Sequence, residues 1–435
     1  MKKFLTAIAV LTALSAAAQT TYGGAEQPRR PLRPYATVEE AEADAGNGRY
    51  VVQLTEWTRG ESDGRTRFTS EFVYPAAWLN RQIIIRIESA SSGYSVEVGG
   101  RSAGSVTSGA VPAEFNITKL AESGINKVSI VVDRPESNEP FTRPDIAWVG
   151  NTEIVCQPTV RVRDFDCRTT LNDNGDGIFE VAIAVKTDAL NPKTARISYE
   201  LNAGETLLAA GYRDVKLEMR GEDTVRFVAI VPDSLLWSPD SPELLRLGIR
   251  NKIEGRYAEN ISVAVGAREV RYDGKDLYVN GRRQQLNLRK VDAAVSAGEL
   301  TELRERGFNA VSVEAGYAPL GLYGVCDAAG MFVIPQVASD TSNGGRSIRK
   351  GGNPSNDPAL TGEFLSRTRA MYHTSKNHPS VVAFSLGGGI TNGINPYEGY
   401  LLLKSLDGSR PVIYDGAGRE WNSDRFDIQI YKPLQ

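Results

Sequence analysis

The sequence predicts a multidomain protein of β and α/β units, with two β-sandwiches followed by a sheet of parallel strands that helices connect. Three observations support this fold class. The chain has 435 residues, enough for about three domains at roughly 150 residues each. Up to about residue 270, apolar and polar residues alternate as in antiparallel strands. After Arg271, short apolar strands alternate with amphipathic helices, as in parallel sheets and barrels.

The N-terminus is typical of a secretory signal peptide over residues 1–18. Lys2 and Lys3 precede the apolar run Phe4–Leu14, and the small residues Ala16–Ala18 come before Gln19. We therefore expect cleavage after Ala18 and a mature protein in the periplasm or outside the cell. No later segment approaches the ~18 uninterrupted apolar residues of a membrane helix, so no transmembrane segment is expected.

The next segments are predicted to be an extended arm and two β domains. Residues 19–50 lack hydrophobic periodicity and form the arm, whose arginines are expected to be solvated or to touch an acidic partner. Residues 51–158 are the first β domain, and residues 159–270 have the size of an immunoglobulin-like sandwich. The β domains hold four tryptophans, for which core packing is expected and glycan stacking is the alternative: Trp57, Trp78, Trp148 and Trp237.

Residues 271–435 are predicted to form βα units. A capping box in Ser296 and Glu299 begins a helix that ends at Gly307. The segment has 165 residues, fewer than the ~200 of a complete barrel. Function in such units is expected at the carboxyl ends of the strands. Six strands are predicted: Gln285–Leu288, Ala310–Val313, Met331–Val337, Val381–Leu386, Val412–Tyr414 and Phe426–Tyr431.

Composition argues against several classes of partner and cofactor. Lys and Arg total 50 against 53 Asp and Glu, so the chain has no basic excess for nucleic acid. Only two histidines occur, and the three cysteines Cys156, Cys167 and Cys326 show no metal-ligand spacing. We expect no metal site, no organic cofactor and three cysteines that serve as reduced packing residues.

Eight short segments between about Phe68 and the C-terminus together carry a family resemblance. In this order they resemble glycoside hydrolase family 2, which includes β-galactosidases, β-glucuronidases and β-mannosidases. The resemblance implies a jelly-roll sugar-binding domain, an immunoglobulin-like sandwich and a (β/α)8 TIM-type barrel, here incomplete. The segments are FVYPAAW (Phe72–Trp78), PAEFNIT (Pro112–Thr118), WSPDSPELLRL (Trp237–Leu247), Gly266–Arg268 with LYVNG (Leu277–Gly281), GFNAV (Gly307–Val311), Cys326-Asp327, NHPS (Asn377–Ser380) and Ser385–Gly387.

The chain departs from the family at its catalytic positions. In the family, the segment like Ser385–Gly387 continues with Asn-Glu, and that Glu is the general acid/base; here Gly388 and Gly389 follow. Ser312 replaces an Arg and Gln336 replaces a Glu. The resemblance also implies that the nucleophilic Glu lies on a later strand, beyond Gln435. Retaining hydrolysis needs two carboxyl groups, so efficient hydrolysis of the family type is not expected.

Substitute residues are expected near the ends of the predicted strands. Glu314, Asp340 and Asp415 are candidates for a displaced acid and base, and solvated loop acids are the alternative. Five further side chains could line a sugar cleft by hydrogen bonding and ring stacking, or be structural loop residues: Asn287, Arg289, Tyr317, Gln336 and Trp421.

Three functions follow from the retained fold and the lost catalytic positions. The first is an exported β-galactosidase-like protein that lacks hydrolytic activity and acts in carbohydrate binding or envelope assembly. The second is an active β-glycosidase that uses displaced carboxylates or is completed by a second chain. The third is a structural subunit of an envelope complex without sugar affinity. The expected partners are a glycan, or a protein or second copy that covers the open barrel edge.

Overall fold

The structure is a computed structural model. It describes residues 22–26, 29–43, 48–134, 140–141, 146–291, 295–316, 320–342, 352–389, 391–414, 423–425 and 428–431. The expected signal peptide, residues 1–18, lies outside the described residues, as do Tyr317, Asp415 and Trp421. In the part of the chain that the structure describes, no helix is long and apolar enough to span a membrane.

The first β domain is two antiparallel sheets with one apolar core between them. Trp78 is fully buried in this core, and its indole N–H donates to the Arg49 carbonyl (2.9 Å). The strands are β1 (Tyr22–Gly23), β2 (Val51–Gln53), β3 (Thr58–Ser62), β4 (Arg65–Tyr74), β5 (Gln82–Ile87), β6 (Tyr94–Val98), β7 (Arg101–Val106), β8 (Ala113–Asn116), β9 (Gly124–Val132) and β10 (Thr152–Gln157). Their orders are β1-β7-β6-β9-β4-β3 and β2-β10-β5-β8. A 3-10 turn (Ala76–Trp78) completes this domain, whereas the helix α1 (Val38–Ala43) of the arm packs against the second β domain, where Glu42 pairs with Arg246 (2.9 Å).

The second β domain is a sandwich of seven long strands. Buried and half-buried residues alternate without interruption along the strand Gly177–Thr187, as expected for a strand with one face in a core. The strands are β11 (Val160–Leu171), β12 (Gly177–Thr187), β13 (Lys193–Ala203), β14 (Thr206–Leu217), β15 (Glu222–Val231), β16 (Leu245–Ile253) and β17 (Arg256–Val265). They form the sheets β11-β12-β15 and β14-β13-β16-β17, and a 3-10 turn (Asp233–Leu235) follows β15.

The arm does not extend as a solvated tail. Arg29, Arg30 and Arg33 are half-buried and contact other parts of the same chain, whereas the sequence predicts a solvated tail or contact with an acidic partner. Arg29 pairs with Asp164 (3.5 Å) on β11, and Arg33 pairs with Glu153 on β10. Arg30 donates to Nε2 of His378 (3.3 Å). The arm therefore lies between the β domains and the C-terminal unit, where carboxylates of both β domains compensate its charges.

The C-terminal unit begins with a small antiparallel sheet and continues as six parallel strands. The small sheet is β18 (Val270–Tyr272), β19 (Leu277–Val279) and β20 (Arg282–Gln284). The parallel strands are β21 (Leu286–Lys290), β22 (Ala310–Glu314), β23 (Phe332–Gln336), β24 (Phe384–Ser385), β25 (Val412–Ile413) and β26 (Ile428–Tyr431), in the order β25-β24-β23-β22-β21-β26. The helices are α2 (Ala297–Glu305), α3 (Gly321–Ala329), α4 (Thr361–Ser375) and α5 (Ile394–Leu406), with 3-10 turns at Pro354–Asn356 and Pro358–Leu360. The capping box predicted at Ser296 and Glu299 is confirmed.

The two faces of the parallel sheet pack against different partners. Val311, Val313 and Val333 cluster with side chains of α2 and α3. On the opposite face, Ala310 and Phe332 cluster with Trp237, which is fully buried. Since successive side chains of a strand point to opposite faces, this second face is also the face of Ser312 and Glu314.

Three of the segments that carry the family resemblance meet at the amino ends of the parallel strands. Asp327 accepts hydrogen bonds from the Ser380 backbone N–H (3.0 Å) and hydroxyl (2.6 Å), and its second oxygen contacts Nδ1 of His378 (2.5 Å). Arg268 donates to the carbonyls of Pro379 (2.8 Å) and Val381. His378 thus belongs to a packed turn. The three cysteines are unpaired, with Cys156 and Cys326 buried and Cys167 half-buried.

Candidate active-site face

The carboxyl end of the parallel sheet carries a group of polar side chains above an apolar layer. Leu286, Leu288 and Ile334 form the apolar layer with Trp237. Two residues further along each strand, the same face presents Lys290, Ser312, Glu314 and Gln336. Register brings these positions together, because Glu314 pairs with Gln336, Gln336 with Ser385, and Lys290 with Ser312. We define this group, together with Asp340 and Gly389, as the carboxyl-end face.

Glu314 is the most perturbed acid of the carboxyl-end face. Burial raises the pKa of its carboxyl group, and nearby Asp340 raises that pKa further, while Lys290 and Arg367 act in the opposite direction. The carboxyl group of Glu314 accepts no hydrogen bond from any side chain or backbone group of the described residues. Such a group is suited to hold a proton or to accept a hydrogen bond from a ligand.

A carboxyl group from a different part of the chain lies against Gly389, the residue that the family resemblance places at the acid/base position. Gly389 has a backbone φ of +72°. A Cβ atom added to it would lie 2.3 Å from Oδ1 and 2.5 Å from Cγ of Asp340. The same Oδ1 accepts a hydrogen bond from the Ser342 backbone N–H (2.8 Å). The Asp340 carboxyl group therefore fills the space in which a side chain at residue 389 would begin.

Direct contacts hold the segment after β23 against the segment after β24. The Ser339 hydroxyl donates to the Leu386 carbonyl (2.7 Å), and the Thr341 N–H donates to the Gly389 carbonyl (3.3 Å). Ser339 is completely buried. Asp340 lies between these two contacts in the sequence, so its place beside Gly389 follows from the backbone on both sides of it.

The first β domain packs against the loop and the helix that border the carboxyl-end face. After β22, a Cβ at Gly316 would lie 2.1 Å from the Ala110 carbonyl oxygen, so only glycine permits this approach. The Leu320 N–H donates to Oε1 of Glu88 (2.5 Å), a group whose pKa is raised by burial.

Arg367 of α4 links the carboxyl-end face to an aromatic residue of the first β domain. It donates to the Ala338 carbonyl and to Glu363 (2.7 Å), and its guanidinium stacks 3.9 Å above the centre of the Phe141 ring. The Phe141 ring also contacts Phe364 of α4, with 5.0 Å between centroids. These three contacts fix the position of the Arg367 guanidinium, whose positive charge lowers the pKa of Glu314.

The structure brings together only part of the site predicted from sequence. Glu314, Asp340 and Gln336 lie on the carboxyl-end face. Asn287 does not, because its side-chain amide donates to the Gly307 carbonyl (3.1 Å), which precedes β22 at the amino end of the sheet. Arg289 is paired in register with Val311, whose side chain packs against the helices, so Arg289 belongs to the opposite face of the sheet. The remaining candidates, Tyr317, Asp415 and Trp421, lie outside the described residues.

Lys290 and Arg367 were not predicted from sequence as site residues, and Ser312 was noted there only as the replacement of a family arginine. Lys290 could have been found from the alternation of strand Leu286–Lys290, since Leu286 and Leu288 mark the face to which residue 290 belongs. Ser312 is fully buried, and its hydroxyl has no hydrogen-bond partner among the described residues. Arg367 comes from a helix that no local pattern connects with the strand ends.

Comparison with known proteins identifies the family. The family model described as "Glycosyl hydrolases family 2" matches residues 160–268, and "Glycosyl hydrolases family 2, TIM barrel domain" matches residues 263–433. A β-galactosidase of Priestia megaterium is 24% identical over 400 residues, which is 83% of this chain and 37% of that protein. The chain thus spans little more than a third of the length of this curated relative.

Solved structures share the fold at low identity. A β-glucuronidase of Bacteroides uniformis has a TM-score of 0.67 and 16% identity, over 90% of this chain and 52% of that chain. An exo-chitosanase of Amycolatopsis orientalis has a TM-score of 0.68 and 17% identity, over 80% of this chain and 44% of that chain. The predicted combination of β domains with a barrel-like α/β unit is therefore confirmed. With two family models that together cover residues 160–433, the chain belongs to glycoside hydrolase family 2.

Proposed function

We propose that this chain is an exported member of glycoside hydrolase family 2 that binds carbohydrate without hydrolysing it. One observation carries the proposal: the Asp340 carboxyl group occupies the space where a side chain at Gly389 would begin. We infer from the family resemblance that Gly389 stands at the acid/base position. A glutamate would carry its carboxyl group two bonds beyond Cβ. Asp340 therefore places its carboxyl group nearer the backbone of residue 389 than a glutamate at that residue would.

The chemistry of the family explains what this loss removes. A general acid contributes roughly 10²- to 10⁴-fold to the rate, and retaining hydrolysis needs a second carboxyl group about 5 to 5.5 Å from the first. Glu314 and Gln336 at neighbouring strand ends can still accept and donate hydrogen bonds to sugar hydroxyls. A face with polar groups and without the acid/base supports binding better than bond cleavage.

A second candidate is a β-glycosidase with displaced carboxylates. It is favoured by the raised pKa of Glu314 with Asp340 close enough to contribute to it, since environments that separate the pKa values of two acids are typical of acid/base pairs. In this case Glu314 would be the proton donor and Asp340 the second carboxyl group of the pair.

Turnover and binding by the mature chain, Gln19–Gln435, separate the two candidates. The substrates are aryl β-galactosides, β-glucuronides, β-mannosides and β-glucosides, and binding of the matching methyl glycosides is measured by calorimetry. We expect binding without turnover. Turnover that falls at least 100-fold in both Glu314→Gln and Asp340→Asn would instead establish the displaced pair. Glu302→Gln, an exposed position on α2, is the matched control.

Location and partners are proposed on separate grounds. The signal sequence supports export, and the mass of the mature protein recovered from the periplasm or medium, beginning at Gln19, tests it. In the described part of the chain, β25 and β26 each have one strand neighbour. We propose that a second copy or another envelope protein covers these edges, because unpaired strand edges associate readily. A monomer in light scattering, with no co-purifying protein, would contradict this.

A further inference from the structure

A cavity of about 210 Å³ lies where the second β domain meets the C-terminal unit. Its walls come from the end of β11, the segment after β17, helix α4 and the loop between α5 and β25. Because this loop precedes β25, the cavity lies at the amino ends of the parallel strands, at the opposite end of the sheet from the carboxyl-end face. It is smaller than the roughly 300–1,000 Å³ of sites for drug-sized molecules, which favours a small ligand.

Two guanidinium groups lie side by side at this cavity. Arg268 (2.9 Å) and Arg410 (3.3 Å) both donate to the Val381 carbonyl. Arg410 is paired with the carboxylate of Asp407 (2.6 Å), whereas Arg268 has no carboxylate within 4.0 Å among the described residues. Burial and the neighbouring Arg410 lower the pKa of Arg268 to about 9. The two guanidinium groups therefore have one carboxylate partner between them.

A third arginine reaches the cavity from strand β11. Arg168 donates through Nε (3.3 Å) and Nη2 (3.2 Å) to Asp166, and through Nη2 to the Leu406 carbonyl (3.1 Å). Each of the three arginines keeps one terminal nitrogen that makes no hydrogen bond with any described residue: Nη1 of Arg168, Nη1 of Arg268 and Nη2 of Arg410. The free nitrogens of Arg268 and Arg410 are not sealed in the interior, and all three residues line the cavity. These nitrogens are therefore donors available to a ligand.

One backbone N–H adds to these donors. The N–H groups of Cys167 and Leu171 point away from the sheet and donate to Oδ1 of Asn377 (2.9 Å) and Oε1 of Glu269 (3.1 Å). Thr169 lies midway between them on the outer edge of β11, so its N–H points the same way. This N–H has no acceptor among the residues that the structure describes. Because Asn377 and Glu269 close the edge on both sides, the gap between them is too short for an added peptide strand.

We propose that this cavity binds a tetrahedral oxyanion, phosphate or sulfate, between the second β domain and the C-terminal unit. Guanidinium groups form strong, charge-assisted hydrogen bonds with such oxyanions. The anion supplies the partner that Arg268 lacks, and it connects Arg168 of the sandwich with Arg410 of the C-terminal unit. Its source is the free ion or the phosphate or sulfate group of a small molecule. The site is separate from the carboxyl-end face and does not depend on the proposed carbohydrate binding.

The test is calorimetry on the mature chain, Gln19–Gln435, with sodium phosphate, sodium sulfate and galactose 6-phosphate, at an ionic strength held constant with NaCl. We expect saturable binding of one anion per chain. Arg268→Gln, which removes the unpaired charge, should weaken binding at least tenfold, and Arg168→Gln three- to fivefold. Arg168 is exposed, so its variant tests the site even if Arg268→Gln does not fold. The matched control is Arg196→Gln, since Arg196 is also an exposed arginine of the second β domain, paired with Asp214 (2.7 Å) and remote from the cavity lining; it should bind like the unmodified chain.

Two outcomes would overturn the proposal. One is that the unmodified chain shows no saturable binding of any of the three probes. The other is binding of equal strength in the unmodified chain and in Arg168→Gln, which would place the anion elsewhere. If binding depends on Arg168, the probes identify the source of the anion. Galactose 6-phosphate that binds at least tenfold more tightly than inorganic phosphate would assign the site to a phosphorylated small molecule, and equal affinities would assign it to the free ion.

Discussion

Replacing Gly389 with alanine tests whether Asp340 occupies the space of a side chain at residue 389. The φ of +72° at Gly389 costs an L-residue about 1–2 kcal/mol. The added Cβ would lie 2.3 Å from Oδ1 of Asp340, so the carboxyl group must move. Moving it weakens its hydrogen bond from the Ser342 N–H (2.8 Å), which contributes about 0.5–1.5 kcal/mol. We therefore expect Gly389→Ala to lower the free energy of unfolding of the barrel unit by about 2–3 kcal/mol.

The measurement is calorimetric and urea-induced unfolding of the full chain, in which the transition of the barrel unit is followed. Gly388→Ala is the matched control, because a Cβ there meets no atom within 4 Å, and we expect less than about 0.5 kcal/mol of change. In an Asp340→Ala background, Gly389→Ala should cost only the backbone contribution. If Gly389→Ala lowers the free energy of unfolding equally with and without Asp340, the steric argument is refuted. If it does not lower that free energy at all, both the steric and the backbone arguments are refuted.

Three further predictions concern stability and pH. Burial alone would raise the pKa of Glu114, but Arg163 (2.8 Å) and Arg86 (2.9 Å) lower it to about 2. Glu114→Ala should therefore lower the free energy of unfolding, measured with urea at pH 7, by about 3–5 kcal/mol. Because the pKa of Glu114 is depressed in the folded state, the difference in stability between the variant and the unmodified chain should shrink as the pH falls from 4.5 towards 2. An equal difference at pH 2 would contradict this prediction. The raised pKa of Glu314 means that its ionisation destabilises the fold as the pH rises above 4.5, so thermal unfolding should show Glu314→Gln more stable than the unmodified chain at pH 8 and equal to it at pH 4. Trp237 is fully buried, so Trp237→Ala should lower the free energy of unfolding by about 3–5 kcal/mol. A loss below 1 kcal/mol would contradict the core contacts described for this residue.

Much of the β architecture could be predicted because it depends on local alternation. Residues Tyr94, Val96 and Val98 lie on a strand whose buried and half-buried positions alternate. The six predicted parallel strands likewise overlap the observed ones, because a short apolar run between two helices is typical of a buried parallel strand. Glu314 could be placed at a strand end for the same reason.

The choice between neighbouring residues required more than the strand assignment. The sequence pattern predicts Arg289 as a cleft residue and leaves out Lys290, but only residue 290 shares the face of Leu286 and Leu288. Because the side-chain period of a strand is two, an error of one residue moves a side chain to the other face. Asn287 was misplaced because its backbone lies near the amino end of the strand, where its amide contacts Gly307.

The sequence by itself determined the family and the β and βα character of its parts, because motifs and periodicity are properties of the chain. It also predicts that Gly389 stands at the family's acid/base position. Only the tertiary structure decided which side chain lies against Gly389. Asp340 reaches Gly389, and Arg367 stacks on Phe141 of the first β domain, through contacts between segments far apart in sequence. Such contacts depend on how whole strands and helices pack against each other, and a local sequence pattern does not predict that packing.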